Sequence, residues 1–201
     1  MKLKYTDIAI IRHGQTAWNK EGRVQGQCDI GIDEKGLSEA EQSGRYLLLT
    51  EQYSALYSSD LRRTMQTAGI ISSVLGLSIE VDSRLREIAA GKWEGIIYAE
   101  VSRKERSALS SDPHNYRFPG GETWKEVEVR TQKALSEIVL NHIGERVVVV
   151  THGGPIRSVL NLWGDGCIES LPVPNGSVTK LRWYEGVSKP EIITVGFVPL
   201  D

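Results

Sequence analysis

Cysteines and long apolar runs are scarce in this sequence. Its 201 residues include two cysteines, Cys28 and Cys167, and neither has a cysteine or histidine nearby at metal-ligand spacing. We therefore expect no disulfide framework and no zinc site, and two reduced thiols are typical of a cytoplasmic protein. The first apolar stretch is interrupted by Asp7 and Arg12, so it predicts neither a signal peptide nor a membrane span.

An excess of charge of either sign is also absent. Lysine and arginine together number 24, aspartate and glutamate 26, and the formal net charge is −2 at pH 7. A charge this small does not favour nucleic acid or an anionic membrane as a partner, so any anion site must be local. The length and the lack of a linker predict one domain over residues 1–201, and homodimerisation stays open.

Apolar patterns and helix-start signals alternate along the chain. A strand buried on both faces is predicted at residues 7–11, further strands of a mostly parallel sheet at 55–58, 78–81 and 146–151, and an antiparallel hairpin at 177–184 and 191–197. Helices are predicted from a capping box at 38–41, from Asp60 to Leu75, from a capping box at 123–126 to about 142, and around Pro155. This order predicts a three-layer α/β fold, with a mostly parallel central sheet flanked by helices and a small cap insertion near 89–121.

Polar side chains follow the predicted parallel strands, at the sheet edge where ligands bind in such folds. In chain order they are Arg12 and His13; Ser58, Ser59, Arg62 and Arg63; Glu87; and His152, followed by Gly153 and Gly154. An arginine in the first turn of a helix opposes the helix dipole unless an anion binds there. Guanidinium groups, imidazoles and backbone N–H groups at one rim therefore predict a site for a tetrahedral dianion such as a phosphate group.

The same groups can carry out chemistry on a phosphate ester. A histidine with one ring nitrogen hydrogen-bonded to a carbonyl keeps a lone pair on the other nitrogen, which is a nucleophile toward phosphorus. Arginines and a second histidine would offset charge on the equatorial oxygens. Glu87 could protonate the leaving alkoxide and then deprotonate the incoming water. The arginines supply positive charge and no cluster has metal-ligand spacing, so we expect neither a metal nor a cofactor.

Five segments carry a resemblance to a known family. They are "RHGQTAWN" from Arg12, "YSSDLRRTMQTA" from Tyr57, "RLREIAAGKWEG" from Arg84, "FPGGETW" from Phe118 and "VVVVTHGGPIR" from Val147. Together they resemble branch 1 of the histidine phosphatase superfamily, which includes cofactor-dependent phosphoglycerate mutase. The resemblance implies a phosphoglycerate mutase-like fold and metal-independent phosphoryl chemistry through a phosphohistidine.

The resemblance also implies roles for individual residues. His13 would be phosphorylated, Glu87 would donate the proton, and the phosphate pocket would consist of Arg12, Arg63 and His152. Arg63 is favoured over its neighbour because the family's second arginine is followed by three residues and then Thr-Ala, as Arg63 is here. Further contacts are implied for Asn19 and the Gly153 N–H group with phosphate, and for Gln25 and Gly26 with substrate.

Phosphatases and mutases of this family share these motifs, so the motifs do not separate the two activities. A phosphatase is favoured because the segment between Glu87 and His152 is shorter than the mutase insertion and no long tail follows the hairpin. A mutase must exclude water from its phosphohistidine. A phospholigand sensor without activity is a third interpretation, disfavoured because all five motif residues are present.

The expected substrate is a small phosphorylated metabolite whose identity the sequence leaves open. The cap carries basic residues that could bind a second anionic group or could simply form a solvated face. They are Arg103, Lys104, Arg106, His114 and Arg117. The sequence assigns no role to Glu122 in the Gly-Gly-Glu element.

Overall fold

The computed structural model describes residues 4–164 and 172–200. The strands are β1 Tyr5–Arg12, β2 Ala55–Ser58, β3 Ile79–Val81, β4 Arg146–Thr151, β5 Val178–Tyr184 and β6 Glu191–Phe197. The α-helices are α1 Ala17–Glu21, α2 Glu34–Thr50, α3 Arg62–Leu75, α4 Arg103–Ser111, α5 Trp124–Asn141 and α6 Gly153–Trp163. Short 3₁₀ turns occur at Ser83–Leu85, Gly91–Trp93 and Tyr98–Glu100. Cys167 lies outside the described residues, whereas the thiol of Cys28 donates to a carboxylate oxygen of Glu94 at 3.4 Å.

The strands form one six-stranded sheet in the order β3-β2-β4-β1-β5-β6. Strands β1 to β4 are parallel, and their carboxyl ends meet at one edge, where Arg12 lies opposite Thr151 and Ser58 lies opposite Val150. β5 runs antiparallel to both of its neighbours, β1 and β6, so it alone among the described strands is reversed. The predicted class, a mostly parallel sheet flanked by helices, is confirmed, as is the hairpin.

Two hydrophobic clusters cover the two faces of the sheet. On one face Ile8, Ile10, Val147 and Val149 pack against α5 and α6. On the other face the alternate residues of the same two strands pack against α2 and α3. Each valine of β4 is 0% exposed, and burying a side chain of this size contributes about 1.5–3 kcal/mol. The sheet is therefore a well-packed frame, and polar residues at its strand ends are held in fixed places.

The start of α2 differs from the prediction. The helix begins at Glu34, four residues before the predicted capping box, because Asp33 accepts the backbone N–H of Gly36 at 2.9 Å. A Cβ on Gly36 would collide with the carbonyl oxygen of Gln15, and one on Gly14 would collide with the carbonyl oxygen of Gly36. The glycine therefore marks a close approach between the helix and the segment after β1, and not a helix boundary.

The start of α3 also differs from the prediction. Asp60 is not its N-cap: Leu61 holds that position, and the Asp60 carboxylate instead binds the guanidinium of Arg86. Asp29, from a distant loop, accepts the backbone N–H of Arg62 at 2.8 Å and so satisfies one of the free donors at the helix start. The predicted end of α3 at Leu75 and the capping box that starts α5 at Thr123 are confirmed.

The cap at residues 89–121 contains two of the 3₁₀ turns and α4. Its aromatic rings pack edge to face in a small cluster, with Trp93 and Phe118 centroids 4.9 Å apart and Phe118 next to Trp124 of α5 at 6.1 Å. Trp93 and Phe118 are 2% and 4% exposed. The cap thus has a core of its own, which lies over the carboxyl ends of the parallel strands and faces the cavity described below.

Candidate active site

The parallel strands bring two of the predicted histidines together. β1 and β4 are hydrogen-bonded neighbours in register, so His13 and His152, each one residue beyond its strand, lie side by side. Their ring centroids are 5.2 Å apart, with the ring planes at 62°. Both residues are almost fully buried, at 2% and 0% exposed. Their surroundings therefore decide their protonation and reactivity.

His13 is held as a neutral ring with one free nitrogen. Its Nδ1–H donates to the carbonyl oxygen of Gly14 at 2.8 Å, and a carbonyl can only accept, so the proton resides on Nδ1. Burial, with the charges of Arg63 and Arg12, lowers the pKa of His13 well below its usual value. The ring is neutral at physiological pH, and Nε2 carries a lone pair. His13 lines the cavity of the site.

His152 is neutral in the opposite tautomer. Its Nδ1 accepts from Arg63 Nε at 3.2 Å, and an arginine can only donate, so Nδ1 carries the lone pair. Its Nε2–H then donates to the hydroxyl of Ser59 at 3.0 Å. Burial, then the charge of Arg63, lowers the pKa of His152 well below its usual value. Both ring nitrogens are therefore engaged within the protein.

Arg63 is completely buried beneath the two histidines. Its Nη1 donates to the Cys28 carbonyl at 2.8 Å and its Nη2 to the Gly26 carbonyl at 2.7 Å. Burial lowers its pKa below the usual value for arginine. Because side chains on adjacent helical residues point about 100° apart, Arg62 takes a different direction and is exposed. Arg63, as predicted for this pair, is the arginine that lines the cavity.

Arg12 lies beside His13 at the same end of the cavity. Its Nη1 donates to the Val173 carbonyl at 2.6 Å, which fixes the side chain. Its Nε is buried, with no hydrogen-bond partner among the residues that the structure describes. Burial, with the nearby charges of Arg157 and Arg63, lowers the pKa of Arg12 to about 10, so it stays protonated at neutral pH. Two cations therefore flank the neutral His13 ring.

The carboxylate of Glu87 reaches the cavity from the loop after the first 3₁₀ turn. One oxygen accepts the backbone N–H of Ile88 at 3.0 Å, and the other accepts that of Gly154 at 3.2 Å. A Cβ on Gly154 would collide with the carboxylate, so this close approach requires glycine. Within the described part of the chain, no ion pair joins Glu87 to Arg12 or Arg63. Glu87 is thus aimed by backbone groups.

Of the four further residues predicted to contact phosphate or substrate, three line the cavity and Gly153 does not. Gln25 lines the cavity, and its Oε1 is buried with no partner among the described residues. Gly26 also lines it, at φ +52, where a Cβ would collide with Glu94. Asn19 lines the cavity, but its Oδ1 accepts from the N–H and hydroxyl of Thr16 and so caps α1. Gly153 is the first residue of α6, close to Arg157.

Three supporting residues escaped sequence reasoning. Asn175 donates its side-chain amide to the carbonyl of His13 at 3.0 Å and to Asn19 Oδ1 at 3.2 Å. Thr67 accepts the Gly14 N–H at 3.1 Å. Arg157 lines the cavity near Arg12. The Asn-Gly pair at 175–176 signals a turn, but no local pattern signals these contacts, because the partners are brought together only by the fold.

The cavity has a volume of about 630 Å³, within the usual range for small-molecule sites. Its lining includes the polar residues Arg12, His13, Arg63 and Glu87 and the apolar residues Val24, Trp93, Tyr98, Leu109, Phe118 and Trp124. The Trp124 ring lies next to Glu87 and Gly154. Of the basic cap residues, His114 lines the cavity, next to the buried Glu128. Arg117 instead pairs with Glu126 on the surface.

Residues 4–164 and 172–200 contain neither a metal-binding cluster nor a membrane-spanning helix. No group of three or more His, Cys, Asp or Glu side chains there could hold a metal ion. No helix in the described ranges is long and apolar enough to cross a membrane. What the geometry does provide is a neutral imidazole with a free Nε2, the charges of Arg12 and Arg63 acting on that ring, and the carboxylate of Glu87 on the same cavity.

Comparison with known proteins places this site in a family. The chain is 36% identical over 187 residues to phosphoglycerate mutase-like protein 4 of Arabidopsis thaliana, covering 90% of this chain and 81% of that relative. It is 39% identical over 160 residues to a metal-independent phosphoserine phosphatase of the same plant, covering 77% and 67%. The solved structure of a mycobacterial glucosyl-3-phosphoglycerate phosphatase complexed with VO3 superposes with a TM-score of 0.83 at 30% identity, covering 95% of this chain and 98% of that one. The model of the histidine phosphatase superfamily (branch 1) matches residues 8–194, and the chain belongs to that family.

Proposed function

We propose that the protein is a phosphomonoesterase that works through a phosphohistidine at His13. The observation that carries this proposal is the hydrogen bond from His13 Nδ1–H to the Gly14 carbonyl, which leaves Nε2 as a nucleophile. Arg12 and Arg63 flank that ring and can bind a phosphoryl group as it transfers. His152 contributes by holding Arg63 and by adding a second imidazole beside the pocket.

The reaction takes place in two displacements at phosphorus. In the first, the His13 Nε2 lone pair forms the N–P bond as the ester P–O bond breaks, and Glu87 gives its proton to the departing alkoxide. In the second, the Glu87 carboxylate takes a proton from water while the water oxygen bonds to phosphorus and the N–P bond breaks. The products are an alcohol and inorganic phosphate, and both protein groups return to their starting forms.

The leaving group belongs against the apolar side chains of the cavity. A volume of about 630 Å³ exceeds what a phosphoryl group alone would fill, and the lining includes four aromatic rings, of Trp93, Tyr98, Phe118 and Trp124. Substrates named for relatives are phosphoserine and glucosyl-3-phosphoglycerate, so both belong in the panel to be tested. Ranking phosphorylated amino acids, sugars, glycerates and aryl alcohols by kcat/KM identifies the leaving group that this cavity prefers.

The phosphohistidine is tested by trapping. Brief mixing with p-nitrophenyl phosphate and a quench without acid should leave a phosphoryl group on the peptide that contains His13. Peptide mass spectrometry distinguishes this from the peptide with His152, and a label on His152 would reverse the assignment. The reaction should proceed in EDTA, since the arginines supply the positive charge. Activity that disappears with EDTA and returns with magnesium would contradict the metal-independent mechanism.

Glu87 is tested by varying the leaving group. An aryl oxide leaves without a proton, whereas an alkoxide needs one, so Glu87→Gln should slow alkyl phosphate cleavage by ~10²–10⁴-fold and p-nitrophenyl phosphate cleavage much less. Single-turnover phosphorylation of His13 measures this step apart from hydrolysis of the phosphohistidine. Equal losses for both substrates would show that Glu87 only maintains the pocket.

A mutase activity is the second candidate, because one relative is named a phosphoglycerate mutase-like protein. The two activities diverge at the phosphohistidine, which a mutase must protect from water. Incubation with 3-phosphoglycerate and a trace of 2,3-bisphosphoglycerate separates them. We expect release of inorganic phosphate to exceed formation of 2-phosphoglycerate, and the reverse ratio would establish the mutase.

A further inference from the structure

The loop that carries Glu87 has no regular secondary structure between the 3₁₀ turns at Ser83–Leu85 and Gly91–Trp93. A proton donor must nevertheless be held within a fraction of an ångström of its working position. We propose that Arg130 and Glu122 form a clamp that positions Glu87 for proton transfer. This inference rests on the proposed role of Glu87 as the general acid.

Arg130, on α5, binds the loop through its main chain. Its Nη1 donates to the carbonyl oxygens of Arg84 at 2.7 Å and Arg86 at 2.6 Å. Its Nη2 donates to the carbonyl oxygen of Glu87 itself at 3.0 Å. One guanidinium, on a side chain only 18% exposed, thus fixes three carbonyl groups at and just before the acid residue.

Glu122 completes the clamp from the other side. Its carboxylate accepts from Arg130 Nε at 2.9 Å and from Nη2 at 3.0 Å, a bidentate pair. The same carboxylate accepts the backbone N–H of Ala89 at 2.8 Å, and the Glu122 N–H donates to the Ala89 carbonyl at 2.9 Å. The loop is therefore held on both sides of Glu87. All five N–H donors of Arg130 are used, an arrangement that lysine cannot reproduce.

This arrangement gives the Gly-Gly-Glu element a physical reason. A Cβ on Gly121 would collide with the carbonyl oxygen of Ala89, so only glycine lets the segment before Glu122 approach the Glu87 loop this closely. Among the described residues, the cavity lining includes Glu87 but neither Glu122 nor Arg130. The two members of the clamp therefore do not line the cavity, and they are positioning residues, not catalytic ones. The charge of Arg130 also contributes to the lowered pKa of His152.

The test is a comparison of leaving groups in a double-mutant cycle. A displacement of the donor by about 1 Å costs on the order of 100-fold, so Arg130→Gln should slow single-turnover cleavage of an alkyl phosphate by about 10- to 100-fold. Cleavage of p-nitrophenyl phosphate should change by less than about 3-fold, because an aryl oxide leaves without a proton. In the Glu87→Gln background, Arg130→Gln should have almost no further effect on the alkyl phosphate.

Two further variants control for folding and charge. Arg84→Gln removes a neighbouring arginine that pairs with Asp82 and Glu137 at the same junction with α5, and it should leave the ratio of alkyl to aryl rates unchanged. Glu122→Gln weakens the same clamp while keeping an oxygen acceptor, so it should lower that ratio in the same direction even if Arg130→Gln does not fold. Circular dichroism and thermal melts identify the folded variants.

The possible outcomes distinguish the positioning role of Arg130 and Glu122 from the general-acid role of Glu87. Equal losses for both leaving groups, or an Arg130→Gln loss that is undiminished in the Glu87→Gln background, would overturn the clamp while leaving the general acid in place. If Glu87→Gln itself showed no dependence on the leaving group, the general acid would fail and the clamp with it. A leaving-group-dependent loss that vanishes in the Glu87→Gln background supports both.

Discussion

The ends of β1 and β4 share a local sequence but differ in chemistry. Each is a buried run of β-branched residues, and the first residues past the ordered strand include a histidine followed by glycine. His13 and His152 are both buried and both have a pKa lowered well below the usual value, for the same main cause, burial. In these respects the two strand ends are interchangeable.

The difference lies in which ring nitrogen carries the proton. His13 donates from Nδ1 to the carbonyl of its own neighbour, Gly14, so its Nε2 keeps a lone pair. His152 accepts at Nδ1 from Arg63 and donates from Nε2 to Ser59, so it has no nitrogen to spare. Two histidines that are both buried, and whose pKa values are both lowered, thus differ in their free ring nitrogen because their hydrogen-bond partners differ. Under the proposed function, tautomer, more than pKa, distinguishes the nucleophile from the supporting histidine.

The largest effect should come from removing the nucleophile. His13→Asn should lower the single-turnover rate by ~10⁴-fold or more for both alkyl and aryl phosphates, because the covalent step has no substitute. The phosphoryl label should disappear from every peptide. A matched His142→Asn variant, at the C-terminal cap of α5 and outside the cavity lining, should retain the label. A phosphoryl label that persists in His13→Asn would contradict the assignment of His13 as the phosphorylated residue.

The next effect concerns the arginine that lies beneath both histidines. Arg63→Ala should cost about 3 kcal/mol of transition-state stabilisation, the scale of one lost charge-stabilising donor. Arg62→Ala is its control, because Arg62 is the adjacent, exposed arginine of the same helical turn. Measurement of kcat/KM for both variants shows which of the two arginines stabilises the transition state. Comparable losses would mean that the helix presents both side chains to the phosphoryl group.

The elements that could be predicted from the sequence are those set by local pattern. The continuous apolar run at residues 7–11 predicted β1 as a strand buried on both faces, and the Thr123–Glu126 capping box predicted the start of α5. Because parallel strands end at one edge, the polar residues after β1, β2 and β4 could be expected at one rim. The structure places Arg12, His13, Arg63 and Glu87 on one cavity there.

The features that could not be predicted depend on contacts between distant segments. Gly36 precedes the predicted capping box at 38–41, yet it lies within α2, where the helix packs against the backbone of Gln15. Asp60 is at a position and of a residue type typical of an N-cap, yet its carboxylate accepts a hydrogen bond from Arg86 instead. The tautomer of His152 depends on Arg63 and on Ser59, which are 89 and 93 residues away in the chain. Local propensity contains no information on such partners.

A third experiment tests the supporting role of His152. His152→Asn places an oxygen near the position of Nδ1, where it can still accept from Arg63 Nε, whereas His152→Gln reaches toward Ser59 and leaves Arg63 Nε unpaired. A hydrogen bond from a charged donor is worth roughly 2 kcal/mol, so the Gln variant should lose about 30-fold in kcat/KM and the Asn variant less than about 5-fold. The opposite order would mean that the Ser59 contact matters more. Labelling of His13 should persist in both.

The smallest effect tests what the two histidines share, their burial as neutral rings. A histidine whose pKa is lower in the native than in the unfolded protein binds its proton only on unfolding, once the pH falls below about 6.5. The free energy of unfolding should therefore be constant above that pH and decrease below it.

Between pH 7.5 and 5.5 each buried histidine should contribute a loss of roughly 1 kcal/mol, measured by urea denaturation. His13→Asn and His152→Asn should each remove about half of the wild-type decrease that the two rings cause. If one variant alone flattened the pH dependence, only that histidine would be buried as a neutral ring. The two strand ends would then differ in protonation as well as in tautomer, and the nucleophile would have to be sought at the end that stays neutral.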